Sequence, residues 1–260
     1  MRANYHTHTW RCRHATGTER QYIEAARDNG IEILGFSDHT PYLFPGDYYS
    51  GFRMYPYQLD DYVDTIQALK EEYKGIIQVH LGLEVEYYPG LLPKMLPLLR
   101  ERPIEYFVLG QHLLGDEIGP QGREHYAGNS TGDRQLLKCY VNQTMEAMNS
   151  GLFTYLAHPD LFHFYGDEKF YRQQMRLLCR EANRCDMPLE INLWGAFERR
   201  HYPVEIFWQE AAEENCKVVL GRDAHNVQCF YDQRSMKQGV DLVEKYNLQL
   251  LETVPLVPIG

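Results

Sequence analysis

Residues 18–39 of the chain read TERQYIEAARDNGIEILGFSDH. The stretch begins with a threonine, whose hydroxyl can accept a hydrogen bond from a free N–H of a helix start, and an Asn-Gly pair favours the end of that helix. The sequence therefore predicts a helix over residues 19–29 and, from the apolar run that follows, a strand over residues 31–37. The polar pair Asp38 and His39 comes directly after the predicted strand.

The same order of strand and helix recurs along the chain. Further strands are predicted over residues 3–8, 77–86, 104–109, 153–157, 189–193, 218–220 and, as a final element, 248–254. Further helices are predicted over residues 59–73, 89–100, 134–149, 168–184, 203–215 and 232–246. Strands that alternate with helices form βαβ units around a parallel sheet. No linker divides the chain, so we expect an α/β fold with a single domain over residues 1–260.

The number of predicted βα units helps to distinguish a barrel from an open sheet. About seven βα units without an obvious break favour a closed or nearly closed barrel. An open, doubly wound sheet is the alternative. In both architectures functional side chains gather at the C-terminal ends of the strands, so we expect the functional site there.

Composition narrows the classes of function. Lys and Arg number 26 against 36 Asp and Glu, and the resulting net charge of −10 argues against polymeric nucleic acid as a partner. No apolar run is long enough for a transmembrane helix, and the first residues lack the apolar core of a signal peptide. The six cysteines form no CxxC pair and are expected to be reduced. We therefore expect a cytoplasmic protein without a membrane partner.

Histidines and carboxylates mark the predicted strand ends. Each has an ordinary explanation when taken alone, since a histidine after a strand is often a hydrogen-bonded loop residue and a glutamate on a strand usually faces solvent. A barrel would bring all of them to one mouth, which favours a shared metal site. These residues are His6, His8, His39, Glu84, His112, His158, Asp223 and His225.

The ligand types indicate the chemistry. Imidazoles and carboxylates suit zinc, iron or manganese, and the set lacks the thiolate pair of a structural zinc site. It holds more ligands than one ion needs, so we expect several ions, two of them bridged by Glu84. Adjacent divalent ions lower the pKa of a bound water and neutralise a developing anion. This favours phosphoester hydrolysis over amide hydrolysis, which usually manages with one or two ions.

In their order, the motifs of the chain resemble the PHP (polymerase and histidinol phosphatase) superfamily of metal-dependent phosphoesterases. Within that superfamily the chain is similar to the monofunctional histidinol-phosphate phosphatases. The matching motifs are His6-Thr7-His8, His14 in Cys12-Arg13-His14, Ser37-Asp38-His39-Thr40-Pro41, Gly82-Leu83-Glu84-Val85-Glu86, Gly110-Gln111-His112, Ala157-His158-Pro159, Glu190-Ile191-Asn192 and Asp223-Ala224-His225.

The resemblance implies a distorted, TIM-like (β/α)7 barrel with three divalent metal ions and a metal-bridging hydroxide that attacks phosphorus. It places Glu84, Asp223 and His225 beside the reacting atoms, and it adds His14, which the spacing of the sequence does not single out. By motif, the first ion would be held by His6, His8, Glu84 and Asp223, the second by Glu84, His112 and His158, and the third by His14, His39 and His225.

Three arginines are candidates for binding the phosphate of a substrate. Arg199 follows a strand end at which such phosphatases place substrate-binding groups, and its guanidinium could hold phosphate through two parallel hydrogen bonds. Arg222 stands where many relatives carry serine, and Arg53 lies in a loop rich in aromatic residues. A plain surface position for Arg199 and a space-filling position for Arg222 are the alternatives.

The sequence thus predicts a phosphomonoesterase that releases inorganic phosphate from a small phosphoester, with histidinol phosphate as the first candidate. The alternatives are another small phosphoester or a nucleotide, an amidohydrolase-type metallohydrolase, and a non-catalytic metal-binding protein. Glu86 is either a support for the site or a solvent-facing residue, and the aromatic loop over residues 41–56 is either a lid or packing. The histidines without an assigned role are His80, His125, His163 and His201.

Overall fold

The computed structural model of the protein describes residues 1–118 and 126–260 and contains one parallel sheet whose strands follow the order of the sequence. This order confirms the predicted α/β class, and the doubly wound alternative is wrong because that fold reverses its strand order at a switch point. The strands are β1 (Ala3–Asn4), β2 (Ile33–His39), β3 (Gln78–Val85), β4 (Tyr106–Leu109), β5 (Tyr155–Leu156), β6 (Leu189–Asn192), β7 (Lys217–Gly221) and β8 (Gln249–Leu250).

Helices connect the strands and share their apolar core. They are α1 (Glu19–Asp28), α2 (Leu59–Glu72), α3 (Leu92–Arg100), α4 (Arg134–Asn149), α5 (Glu168–Arg184), α6 (Leu193–Phe197), α7 (Glu205–Glu213) and α8 (Gln233–Tyr246). Short 3₁₀ segments cover Trp10–Cys12, Pro56–Gln58 and Val227–Phe230. Of the helices in the described ranges, none combines the length and the hydropathy that crossing a bilayer requires.

The start and end of α1 show how local signals set the elements. Thr18 Oγ1 accepts a hydrogen bond from the backbone N–H of Gln21, and the Gln21 side chain accepts one from the backbone N–H of Thr18. This reciprocal cap satisfies N–H groups that a helix start leaves free. Gly30 follows the helix with a φ of 72°, which glycine adopts without steric cost, and the chain then turns into β2.

The sheet curls until its first and seventh strands meet. Thr7, beyond the end of β1, forms a parallel bridge with Ala224, beyond the end of β7. His8 N donates to the Ala224 carbonyl at 3.0 Å, and Ala224 N donates to the His6 carbonyl at 3.2 Å. The two-residue β8 pairs with the other end of β7. The sheet is therefore the predicted distorted barrel, joined at the C-terminal ends of its strands, with a short eighth strand that was predicted over residues 248–254.

Aromatic packing fills the interior of the barrel. The Tyr106 ring lies against two glycines of neighbouring strands, and a Cβ added at Gly82 would come within 2.4 Å of it. A Cβ at Gly35 would come within 2.1 Å of the Tyr106 hydroxyl, which donates to the Tyr5 carbonyl at 2.7 Å. Glycine is required at both positions because the ring approaches the backbone so closely.

The segment after β8 covers the end of the barrel opposite the mouth. Val254 is 6% exposed and belongs to an apolar cluster with Ala3 and Tyr106 inside the barrel. Farther along, Val257 N donates to Thr154 Oγ1 at 3.1 Å, just before β5. The single-domain assignment over residues 1–260 stays a prediction, and contacts between the two ends of the chain are consistent with it.

Replacing Val254 by aspartate should lower the free energy of unfolding by about 3 kcal/mol, because a carboxylate would be buried without a partner. Urea unfolding measures the change. Ile76→Asp is the control at a position that is 61% exposed, and it should shift stability by less than about 0.5 kcal/mol. Equal stabilities of the two variants would contradict the role assigned to this segment.

Candidate metal centre

The predicted ligands meet at the mouth of the barrel. Alternate residues of an extended strand point to the same face, so His6 and His8 face the mouth together. His39 of β2 and Glu84 of β3 are register partners on neighbouring strands. The remaining ligands follow β4, β5 and β7, and they are His112, His158, Asp223 and His225.

The fully buried carboxylate of Glu84 lies at the centre of this group. Its Oε1 atom faces three histidines and its Oε2 atom faces two others. The distances from Oε1 are 2.9 Å to His158 Nε2, 3.5 Å to His6 Nε2 and 3.5 Å to His112 Nε2, and those from Oε2 are 2.9 Å to His39 Nδ1 and 3.5 Å to His8 Nε2. A carboxylate whose two oxygens face separate sets of imidazoles has the geometry to bridge two cations.

Asp223 provides a second carboxylate beside the first. Its Oδ1 atom lies 3.0 Å from His8 Nε2, 3.4 Å from His6 Nε2 and 3.3 Å from His225 Nδ1. Its Oδ2 atom accepts a hydrogen bond from Asn192 Nδ2 at 3.0 Å. The amide fixes one oxygen, so the other stays directed at the imidazoles.

His14 joins the same cluster, although only the family resemblance pointed to it. Its ring centre is 4.5 Å from that of His225 and 5.4 Å from that of His39. His14 Nδ1 lies 2.9 Å from the Cys12 carbonyl, which can only accept, so Nδ1 carries the proton and Nε2 is left for a ligand.

The donor atoms form overlapping groups rather than three separate sets. Within a group, all ligand atoms lie within 4.8 Å of one another. The groups include His6 with His8 and Asp223, His6 with Glu84 and His158, His8 with His39 and His225, and Cys12 with His14 and His225. The structure thus brings all the predicted ligands together. The resemblance placed His8 with the first ion only, but here His8 also lies beside His39 and His225, which were expected at the third ion.

Buried polar atoms without a hydrogen-bond partner in the described ranges concentrate at this mouth. Such atoms are rare in folded proteins, so a cluster of imidazole nitrogens and carboxylate oxygens of this kind fits divalent ions. Those at the mouth are His6 Nε2, His8 Nδ1 and Nε2, His39 Nδ1, Glu84 Oε2, His158 Nδ1, Asp223 Oδ1 and His225 Nε2.

Glu190 of β6 orients two of the histidines from behind. Its Oε1 atom accepts from His6 Nδ1 at 2.8 Å, which leaves His6 Nε2 to face the mouth. Its Oε2 atom accepts from the backbone N–H of His158 at 3.1 Å and from Asn192 Nδ2 at 2.8 Å. Gly221 makes room for this carboxylate, because a Cβ there would stand 1.7 Å from Glu190 Oε1.

The backbone is shaped around the ligands. A Cβ at Gly110 would stand 1.9 Å from Glu84 Oε1, so the Glu84 carboxylate fits only beside glycine. His158 and Asp223 have φ values of 30° and 46°, in the left-handed region that costs a residue with a Cβ about 1–3 kcal/mol. Such strain is typical of functional sites.

Burial and neighbouring charges set the pKa values in the mouth. Burial alone would raise the pKa of Glu84, but the surrounding imidazoles, with His112 contributing most, hold it well below its usual value. Burial lowers the pKa of His39 and of His225 well below the usual value, so both imidazoles are neutral at pH 7, the form that binds metals. Burial would lower the pKa of His8, but neighbouring carboxylates raise it to about 9. The site therefore favours added positive charge.

Six of the nine predicted ligands line a cavity of about 390 Å³, and they are His14, His39, His112, His158, Asp223 and His225. The aromatic loop forms one wall of this cavity, with the Phe52 ring centre 5.0 Å from that of His39 and 5.8 Å from that of His112. Farther out, Tyr55 stacks on Tyr57 at 5.4 Å, away from the ligands. The same loop contributes Tyr48, and the other walls include Leu113, Glu117, Tyr126, Trp194, Arg200 and Tyr202.

Two of the predicted phosphate-binding arginines are turned away from the cavity. Arg53 is completely buried and donates to Glu86 Oε2 at 2.9 Å and to the Thr40 carbonyl at 3.0 Å. Arg222 is 4% exposed and donates to the Cys229 carbonyl at 2.7 Å. Both guanidinium groups are already committed to protein acceptors, so these two predictions are corrected.

The third predicted arginine, Arg199, lies outside the cavity. It is exposed and has a φ of 57°. Arg200, the next residue, lines the cavity together with Tyr126. The left-handed turn at Arg199 reverses the direction in which successive side chains point, which a sequence pattern does not reveal.

Sequence reasoning assigned no definite role to several polar groups that support the ligands. Glu190 and Asn192 alternate on a buried strand, which is the signal that marked Glu84 and could have marked them. Glu86, left undecided from sequence, accepts from His112 Nδ1 at 2.9 Å. Glu117 lies in a loop, where no periodic signal exists.

The unassigned histidines lie elsewhere. His80 Nδ1 is 2.8 Å from Glu105 Oε2, at the far end of β3. His163 and His201 stack on each other with ring centres 4.1 Å apart in a second cavity. His125 lies outside the described residues.

The barrel and the buried ligand cluster at its mouth define a class of protein, the metal-dependent enzymes built on a parallel α/β barrel. Comparison with known proteins gives the family. The model of the PHP domain matches residues 4–193, and the chain belongs to this family.

Similar proteins share a name. A "Probable histidinol-phosphatase" of Deinococcus radiodurans is 32% identical over 228 residues, which cover 85% of each chain. A histidinol-phosphatase of Lactococcus lactis subsp. lactis is 25% identical over 197 residues, covering 73% of this chain and 70% of that protein. The crystal structure of a histidinol phosphate phosphatase from L. lactis, complexed with zinc, L-histidinol and phosphate, has a TM-score of 0.73 at 17% identity over 98% of both chains and shares the fold.

Replacing Gly110 by alanine should weaken metal binding roughly 10- to 100-fold, because the added Cβ displaces the Glu84 carboxylate. Gly51→Ala is the matched control in the same mouth, since a Cβ there meets nothing within 4 Å. Equilibrium dialysis against zinc with elemental analysis measures both variants. Wild-type metal content in Gly110→Ala would remove Glu84 from the centre of the site.

Proposed function

We propose that this chain is a metal-dependent phosphomonoester hydrolase that converts histidinol phosphate and water to histidinol and phosphate. The observation that carries the proposal is the buried carboxylate of Glu84 between two sets of histidines at the mouth of the barrel. The family and the names of the relatives supply the substrate.

The ligand cluster would hold several divalent ions, with zinc, iron or manganese as candidates. Zinc is bound in the structure of the L. lactis phosphatase. When bound, such ions lower the pKa of water and neutralise charge on a transferring phosphoryl group. The residues that would hold them are His6, His8, His14, His39, Glu84, His112, His158, Asp223 and His225.

The remaining cavity walls suit a small ester that carries phosphate at one end. The guanidinium of Arg200 supplies a charged donor for phosphate oxygens at the rim. Trp194, whose ring centre is 4.8 Å from that of His225, and Tyr202 offer flat apolar surfaces for the organic part of the substrate. Phosphate would then lie over the ligand cluster, with the leaving group towards the aromatic walls.

Several alternatives from sequence receive less support. Of the described residues that line the cavity, none is a lysine, whereas an amidohydrolase-type site would place one among its metal ligands. The net charge of −10 favours a small phosphoester over polymeric nucleic acid. A cytoplasmic location stays a prediction.

Phosphate release from a panel of small phosphoesters tests the proposed substrate. We expect kcat/KM for histidinol phosphate to exceed that for nucleotides and sugar phosphates, and removal of metal with a chelator to abolish release. A nucleotide or sugar phosphate that is hydrolysed with higher kcat/KM would contradict histidinol phosphate as the substrate. The assignment of the chain as a phosphatase would still hold. Full activity after chelation would contradict the metal-dependent chemistry.

Arg200→Ala should lower kcat/KM roughly 10- to 100-fold, because a hydrogen bond to a charged group contributes about 1.5–3 kcal/mol. Arg199→Ala is the matched control from the neighbouring position and should stay within about twofold of wild type. Steady-state kinetics with histidinol phosphate measures both. The reverse ranking of the two variants would restore the original prediction for Arg199.

A further inference from the structure

We propose that Arg53 is a positioning residue that acts on the metal ligand His112 through Glu86. The inference rests on the proposed function, because it assigns a role within the same metal centre. The sequence suggested that Arg53 contacts phosphate. In the structure Arg53 instead lies outside the lining of the cavity and supports the ligand His112 through Glu86.

A short chain of hydrogen bonds joins Arg53 to the mouth. Arg53 Nη1 donates to Glu86 Oε2 at 2.9 Å, and the other carboxylate oxygen, Oε1, lies 2.9 Å from His112 Nδ1. An ionised carboxylate only accepts, so Nδ1 of His112 carries the proton. Its Nε2 atom then has a free lone pair, and it faces Glu84 Oε1 at 3.5 Å. The bond to Glu86 thus fixes both the tautomer and the direction of the ligand nitrogen.

The planar guanidinium suits this place because it anchors the carboxylate from several directions. Besides Glu86, Arg53 donates through Nη1 to the Thr40 carbonyl at 3.0 Å and through Nη2 to Glu117 Oε2. Glu117 is held in turn by the Tyr88 hydroxyl, which donates to Oε2 at 3.0 Å. A lysine ammonium is a single point charge and could not span these acceptors in one plane.

Aromatic rings enclose the guanidinium and keep water away from it. The Cζ atom of Arg53 lies 4.3 Å from the Phe52 ring centre, 5.5 Å from that of Tyr42 and 5.8 Å from that of Phe44. Arg53 and Glu86 are both fully buried. The aromatic loop therefore has two roles. It forms one wall of the cavity, and it surrounds the Arg53 guanidinium that holds Glu86.

Stability alone does not explain this arrangement. Buried ion pairs carry a desolvation cost that often cancels their attraction, and apolar residues of similar size frequently serve as well. A fixed direction for a metal ligand, however, needs a polar partner behind it, and loss of such a partner typically costs about 10- to 100-fold in metal affinity. We therefore assign the guanidinium to orientation of His112.

Zinc binding by the purified chain, measured in competition with a chromophoric chelator, tests the proposal without any substrate. Arg53→Met should bind zinc roughly 10- to 100-fold more weakly than wild type, and Arg53→Lys should fall between the two. The double variant Arg53→Met/Glu86→Gln should bind no more weakly than Glu86→Gln alone, because both changes break one chain of contacts.

Arg172→Met is the matched control. It removes an arginine that pairs with the buried Glu210 at 2.9 Å, far from the mouth, and it should leave zinc affinity at the wild-type value. In the metal-free protein, the NMR resonance of the His112 Nδ1 proton should be present in wild type and Arg172→Met and lost in Arg53→Met.

Wild-type zinc affinity in both Arg53 variants, or a His112 resonance that persists in Arg53→Met, would overturn the proposal. Additive losses in the double variant would overturn it as well, since Arg53 would then act by another route. These results do not depend on histidinol phosphate, so they remain distinct from a failure of the proposed substrate.

Discussion

The buried carboxylate of Glu84 is the constraint on which the rest of the site depends. A carboxylate removed from water is costly unless charged or hydrogen-bonded partners surround it, and here both oxygens have imidazole nitrogens 2.9 Å away. Its position on β3 requires a glycine on the adjacent strand end, where Gly110 leaves the space that any side chain would fill. The five histidines that face it lie at or beyond the ends of four other strands, β1, β2, β4 and β5, which explains why the site exists only in the folded barrel.

The barrel supplies that convergence by joining its two ends. The bridge between Thr7 and Ala224 brings the first and last ligand-bearing segments side by side, so His8 and Asp223 come within 3.0 Å. Packing around Tyr106 and the segment through Val254 fills the interior and the opposite end. The mouth is left as the place where polar groups gather, and the groups behind it, such as Glu190 and Arg53, determine which way the ligands point.

Sequence pattern predicted most of the elements because helix and strand signals are local. The bounds of α4 and α5 agree with prediction to the residue, since an aspartate cap begins each helix. The convergence of the histidines and carboxylates was also predictable, because parallel strands place their C-terminal residues at one edge. His14 lies in a turn and was reached only through resemblance to a family.

The positions of the three candidate arginines could not be predicted from sequence pattern. Side-chain direction in a loop depends on individual dihedral angles, and Arg199, which has a positive φ, lies outside the cavity that its neighbour Arg200 lines. Arg53 was selected for its charge, but its burial among aromatic rings is a tertiary property that no spacing encodes. The same limit applies to Glu117, which becomes part of the mouth only when the loop after β4 folds back.

Anomalous X-ray diffraction from crystals grown with zinc shows whether Glu84 bridges two ions. We expect more than one anomalous peak at the mouth, with each oxygen of Glu84 about 2.0–2.2 Å from a different ion. A single peak, or ions that leave the Glu84 carboxylate without a metal contact, would contradict this bridging role.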